Sequence, residues 1–105
     1  MDLIVNVVLA LFILGLSFWF KFNRPKKIND WIGYRTKSSM KSQENWDLAQ
    51  FYWSTILVQL SLLVVGVQLL TYLLINPVIA IFLTCFLWVL ILFVSIYLTE
   101  KKLKE

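Results

Sequence analysis

The sequence predicts an all-α integral membrane protein with three transmembrane helices, its N-terminus outside and its C-terminus cytoplasmic. Three observations carry this. First, apolar runs at about residues 3–20, 51–75 and 78–98 match the roughly 20 helical residues needed to cross a hydrocarbon core of about 30 Å. Second, the chain is 60% hydrophobic and 15% charged, whereas a soluble domain is about half apolar and a quarter charged. Third, all ten Lys and Arg fall at one end of that three-span frame. At 105 residues there is room for one domain, expected over 1–105. Its parts are a first helix at about 3–22, a motif loop at about 23–42, a second helix at about 43–75 and a third at about 77–99.

The first run follows only Met1 and Asp2. It has no basic segment before it and no small-residue cleavage pattern after it, so it is expected to be a retained helix. At 100° per residue, Asn6, Ala10 and Ser17 fall within about 40° of one another. Such small and polar residues mark contact faces in lipid, where hydrophobicity does not drive helices together.

Between the first and second runs lie Lys21, Arg24, Lys26, Lys27, Arg35, Lys37 and Lys41, and after the third lie Lys101, Lys102 and Lys104. The turn at Asn76-Pro77 and the N-terminus carry none. The excess of Lys and Arg on cytoplasmic loops then places the loop and the C-terminus inside. Trp19, Trp46, Tyr52, Trp53 and Tyr97 fall near that interface and Tyr72 near the outer one, a depth that amphipathic rings prefer. Trp88 lies mid-span and is expected to pack.

The second helix is expected to start before the membrane and extend at its cytoplasmic end. Ser39 or Ser42 can cap it, with Gln43 and Glu44 in a first turn that favours negative charge. Trp46, Ala49 and Trp53 share one face. Further along, Asp47, Ser54, Ser61 and Gln68 recur every seven residues, and Thr55, Gln59 and Gly66 lie on another side. A primary amide facing lipid is costly. Asn6, Gln59 and Gln68 are therefore expected to make intramembrane polar contacts. Asn76-Pro77 predicts a tight hairpin into the third helix, because proline disfavours helix before it and starts one well. There Ala80, Thr84 and Ser95 share a face, and Cys85 is expected to be a small buried hydrophobe. These faces suit a three-helix unit with the second helix in the middle, and a homo-oligomer could use the same faces.

Several function classes fit poorly. No Asp, Glu, Lys or Arg lies within the three runs, whereas ion-coupled transporters place an ionisable group there. Small multidrug exporters have four helices and a carboxylate in the first. The chain has no histidine, and it offers no nucleophile–base set, metal-ligand cluster or phosphate-cradling glycine loop. No catalysis, metal, cofactor or nucleic-acid partner is expected. The lipid bilayer is the one partner composition demands.

The stretch "NDWIGYRTKSSMKSQENW" is the long polar run. Topology and anionic lipid account for its lysines, but not for "IGYRT". Gly33 permits a turn that other residues resist, and Arg35 offers a planar five-donor fork. Tyr34 adds a ring with a polar tip, and Thr36, Ser38 and Ser39 add hydroxyls. Together they suggest a loop folded on itself around Arg35.

Asn29, the run Ile32-Gly33-Tyr34-Arg35-Thr36, Ser38 or Ser39, then Glu44, Trp46 and Ala49 form the pattern N-x-x-I-G-Y-R-T-x-x-S-M-K-S-x-E-x-W-x-x-A. This resembles the signature of the SdpI family of bacterial membrane proteins, and the three-helix frame fits around it. The resemblance implies immunity: protection of the cell, from its cytoplasmic membrane, against a membrane-active secreted peptide toxin, by binding. It also implies a second role, holding a cytoplasmic transcriptional regulator at the membrane. The same residues suit an adaptor that recruits such a regulator with no toxin of its own. The motif is then either a structural clasp or a docking site for a cytoplasmic partner; the clasp is preferred, with Arg35 expected to pair with Glu44 or Asp47 and fix the loop beneath the bundle.

Overall fold

The computed structural model describes residues 1–104. It contains α1 (Asp2–Phe22), α2 (Gln43–Leu74) and α3 (Pro77–Leu103) in that order. All three are long and apolar enough to cross a membrane, and the described residues contain no strand. The chain is a multi-pass cell membrane protein. Its helices form a bundle 47 Å long and 23 Å by 17 Å across. The loop and the end of α3 lie at one end, called here the basic end.

Local chemistry sets the helix limits. Ser42 caps α2 by accepting the Asn45 N–H at 3.0 Å, which satisfies one of the donors left free at a helix start. Asn76 does the same for α3, accepting from Val78 at 2.7 Å and Ile79 at 3.3 Å, with Pro77 in the first turn. The α2–α3 connection is consequently short. α3 continues to Leu103, past the expected end near residue 99. Lys101 and Lys102 in its last turn suit the negative end of a helix dipole.

α2 packs most extensively on α3, and then on α1. Its buried residues include Ser54, Ser61 and Gln68 at seven-residue spacing. Ser61 Oγ lies 2.7 Å from Ser17 Oγ on α1, and Ser17 also donates to the Ile13 carbonyl at 2.8 Å. Trp53 Nε1 donates to Ser95 Oγ on α3 at 3.1 Å. An apolar cluster of Leu57, Val64 and Ile91 fills the space between, with Phe20, Trp53 and Trp88 against it. Phe20 and Trp53 meet edge to face at 5.0 Å, as do Phe12 and Trp88 at 5.6 Å, an arrangement favoured by the ring quadrupole.

The end opposite the basic one has its own polar junction. Gln68 is 5% exposed. Its Nε2 donates to the Asn6 backbone carbonyl at 3.0 Å and to Asn6 Oδ1 at 2.9 Å. Asn6 Nδ2 in turn donates to the carbonyls of Asp2 at 2.8 Å and Pro77 at 3.2 Å. One side chain therefore links all three helices.

Three expectations fail here. Gln59 is exposed on the outer surface of α2 and makes none of the intramembrane contacts expected of it. At 100° per residue it lies about 140° from Ser54 and 160° from Ser61, so the face that meets the other helices turns it outward. Cys85 is also exposed, one residue beyond buried Thr84. Asp47 begins the seven-residue series but is exposed, at the rim of an opening lined by Phe22, Arg24 and Lys26.

The serine contact gives a quantitative expectation. A double-mutant cycle of Ser17→Ala and Ser61→Ala should report a coupling of about 0.6 kcal/mol in unfolding of the bilayer- or micelle-embedded protein. Ser61→Leu should cost about 1–3 kcal/mol by overpacking a fully buried position.

Candidate functional site

The loop between α1 and α2 closes against the first turns of α2 and the last turns of α3. Gln50 does the central work. Its Oε1 accepts the Tyr34 N–H at 2.8 Å, and its Nε2 donates to the Tyr34 carbonyl at 2.7 Å. A primary amide thus satisfies both backbone polar groups of one residue, as a neighbouring strand would. Gln50 and Tyr34 are both buried. Leaving such groups unpaired there would cost about 1–3 kcal/mol each.

Gly33 makes this contact sterically feasible. It has φ +101°, in the left-handed region that glycine enters without penalty. A Cβ there would sit 2.6 Å from Pro25 Cγ and 2.7 Å from Gln50 Oε1. Pro25 is held in turn by Trp46, whose Nε1 donates to the Pro25 carbonyl at 2.8 Å. Trp46 and Ala49 are fully buried beneath the loop.

The tip of Tyr34 reaches α3. Its hydroxyl donates to Glu100 Oε2 at 2.7 Å, and Thr36 Oγ1 donates to the same oxygen at 3.0 Å. Burial, then the bond to Glu100, push the phenol above its ordinary range. Tyr34 therefore stays a neutral donor. Because the folded-state value is raised, its contribution is present below about pH 10, the ordinary tyrosine value, and is lost as pH rises beyond it. The ring of Tyr34 also lies 5.6 Å from that of Trp53.

Ser39 ties off the following turn. Its Oγ accepts the Thr36 N–H at 2.8 Å and contacts the Tyr34 and Thr36 carbonyls at 3.1 and 3.0 Å. Its own N–H donates to Thr36 Oγ1 at 3.1 Å. Asn29 shapes the approach, with its Oδ1 accepting from Trp31 at 2.9 Å and Ile32 at 2.8 Å, an Asx turn. The Ser38 carbonyl accepts from Asn45 Nδ2 at 3.0 Å. Gln43 Nε2 donates to the Lys26 carbonyl at 2.7 Å and to Asp47 Oδ1 at 2.8 Å.

Arg35 behaves otherwise than expected. Its guanidinium donates to the Asp30 backbone carbonyl rather than to Glu44 or Asp47, and the side chain is exposed. Its neighbours Tyr34 and Thr36 both reach inward to Glu100, whereas Arg35 between them points out. Glu44 and Ile32 are exposed as well. The structure thus brings together Gly33, Tyr34, Thr36, Ser39, Trp46 and Ala49, and leaves Arg35, Ile32 and Glu44 outside. Sequence reasoning missed Gln50, Glu100 and Pro25. Gln50 had a signal: it follows Trp46 by four residues, on the same helical face. Glu100 was visible only as the acid that precedes the terminal lysines.

These features define a three-span helical membrane protein whose interhelical loop is clasped to both α2 and α3. The profile of the SdpI/YfhL protein family matches residues 26–97, which include Gly33, Tyr34, Thr36, Ser39, Trp46 and Gln50 of the clasp but neither Pro25 nor Glu100. An uncharacterised protein of Bacillus subtilis (strain 168), YfhL, is 34% identical over 82 residues, covering 76% of this chain and 68% of that relative. The chain belongs to the SdpI/YfhL family. No solved structure matches it.

Substitutions at two positions probe the clasp. Gly33→Ala should destabilise the protein by about 2 kcal/mol or more, through left-handed strain and the Pro25 and Gln50 clashes, read as a lower thermal midpoint in detergent. Glu100→Ala should cost about 1–2 kcal/mol by stranding two donors, with Glu100→Gln costing less because an amide oxygen still accepts.

Proposed function

We propose that this protein is a membrane immunity protein that protects its cell from a membrane-active secreted peptide toxin, by binding. The family match over residues 26–97 carries this reading. The geometry of the loop supports binding over turnover. Its hydroxyls and the Glu100 carboxylate are engaged in holding the loop, where a catalytic group would be presented to a substrate. In this reading the basic end faces the cytoplasm, as the placement of all ten Lys and Arg supports. A secreted peptide then meets the Asn6–Gln68 end first, and the clasp maintains the bundle from the far side.

A second reading has its own observation. Trp31 is 89% exposed and Arg35 is exposed four residues later. Exposed Trp and Arg are the residue types that anchor protein partners. A cytoplasmic regulator docked there would make the protein an adaptor.

Expression in a toxin-sensitive bacterium, with exposure to the family's peptide toxin, tests the first reading. Survival should rise, and no gain with the protein demonstrably in the membrane would sink it. Gln50→Ala should lower abundance and protection together. Arg35→Ala should leave abundance near wild type, since exposed substitutions shift stability by about 0.5 kcal/mol or less. Capture of a cytoplasmic regulator that is lost in both Trp31→Ala and Arg35→Ala would favour the adaptor.

A further inference from the structure

At the basic end a cavity of about 340 Å³ opens between the end of α1 and the start of α2. Phe22 and Phe51 form its apolar wall, and Arg24, Lys26 and Asp47 form its charged wall. The Arg24 guanidinium stands over the Phe51 ring, 5.0 Å from its centroid, so this cation is positioned rather than free to sweep through solvent. Among the described residues, the Arg24 and Lys26 side chains have no hydrogen-bond or ion-pair partner. The other polar groups of the wall are engaged. Gln50 spends both amide atoms on Tyr34, and Asp47 Oδ1 accepts from Gln43. The free donors are thus two cations, against one carboxylate that keeps its second oxygen available.

The cavity lies where α1 ends, at Phe22, two residues past its apolar run, and where the apolar run of α2 begins, at Phe51. Phe22 and Phe51 are exposed on the flank of the bundle that lipid would cover. Charged donors beside exposed aromatic rings at that level match a headgroup above acyl chains.

We propose that this cavity is a binding site for the headgroup of an anionic glycerophospholipid. The phosphodiester lies on the Arg24 fork and Lys26, the headgroup hydroxyls donate to Asp47, and the acyl chains run along Phe22 and Phe51. Arg suits this task because its planar fork engages phosphate oxygens in pairs. The surplus of one positive charge selects a monoanionic lipid over a zwitterionic one. The site also has a structural consequence. Pro25 and Gln50 line it, and these two residues confine Gly33 and hold Tyr34. An occupied site therefore braces the clasp.

The test uses the full chain, purified in detergent and offered phosphatidylglycerol or phosphatidylcholine, with native mass spectrometry reading the retained lipid. Phosphatidylglycerol should be retained in preference and should raise the thermal midpoint. Arg24→Gln and Lys26→Gln should each weaken its retention by about fivefold, the effect of one basic residue near an anionic lipid. Lys37→Gln removes the same charge outside the cavity and should change retention little. Lys26→Gln keeps the assay decisive should Arg24→Gln disturb folding, because the Lys26 side chain contacts no partner among the described residues. Equal retention of both lipids, or wild-type retention by the Arg24→Gln/Lys26→Gln double variant, would overturn the proposal. Displacement of the lipid by millimolar inorganic phosphate would also overturn it, by assigning the cavity to free phosphate.

Discussion

The pairing of the Gln50 amide with both backbone polar groups of Tyr34 is the constraint on which the basic end depends. A polar loop can lie against an apolar bundle only if its buried N–H and C=O groups find partners. Here one side chain meets that need for Tyr34, the buried aromatic residue of the loop. It also fixes register, since a shift by one residue would bring Gly33 or Arg35 opposite the amide. The pairing accounts for the glycine beside it, because a side chain at residue 33 would fall on Gln50 Oε1 and Pro25 Cγ. It accounts equally for Trp46, which holds Pro25 against that glycine from beneath.

Once Tyr34 is placed, its phenol arrives at α3 and meets Glu100. Helices that are antiparallel and mutually apolar have little to fix their relative rotation in lipid, where hydrophobic burial supplies no driving force between them. Polar contacts supply it here, and they sit at three levels. Asn6 and Gln68 hold one end, Ser17 with Ser61 and Trp53 with Ser95 hold the inner part, and the Tyr34–Glu100 contact holds the other end. Between these levels the apolar side chains pack or face outward. The family signature is therefore largely a description of how the loop is fastened, with Ile32, Arg35 and Glu44 as its outward-facing exceptions.

Much of the fold was legible in advance because it is written in local terms. The spans follow from run length, the start of α2 from a serine cap read as Ser39 or Ser42, the α2–α3 hairpin from Asn76-Pro77, and the seven-residue series Ser54, Ser61, Gln68 from helical periodicity. The loop was legible in content but not in arrangement. Arg35 looked like its centre because a guanidinium is the strongest donor present. In the folded loop, Tyr34 and Thr36 turn in to Glu100 and Arg35 between them turns out. Gln59 was misplaced for a related reason: an amide in an apolar run implies a partner, but the face it occupies is set by the helix's other contacts.

By itself, the sequence determined that the chain is helical, that it has three spans, where each helix starts and which loop is unusual. These depend on hydrophobic run length, capping groups and glycine, all acting within a few residues. Only the tertiary structure decided that Gln50, 16 residues from Tyr34, grips its backbone, and that Glu100, 66 residues away, receives its hydroxyl. Those pairings depend on the rotation of α2 and α3 about their axes and on the path of the loop between them. Many side chains could chemically accept the same hydrogen bonds, so distance in the folded chain, rather than residue type, made the choice.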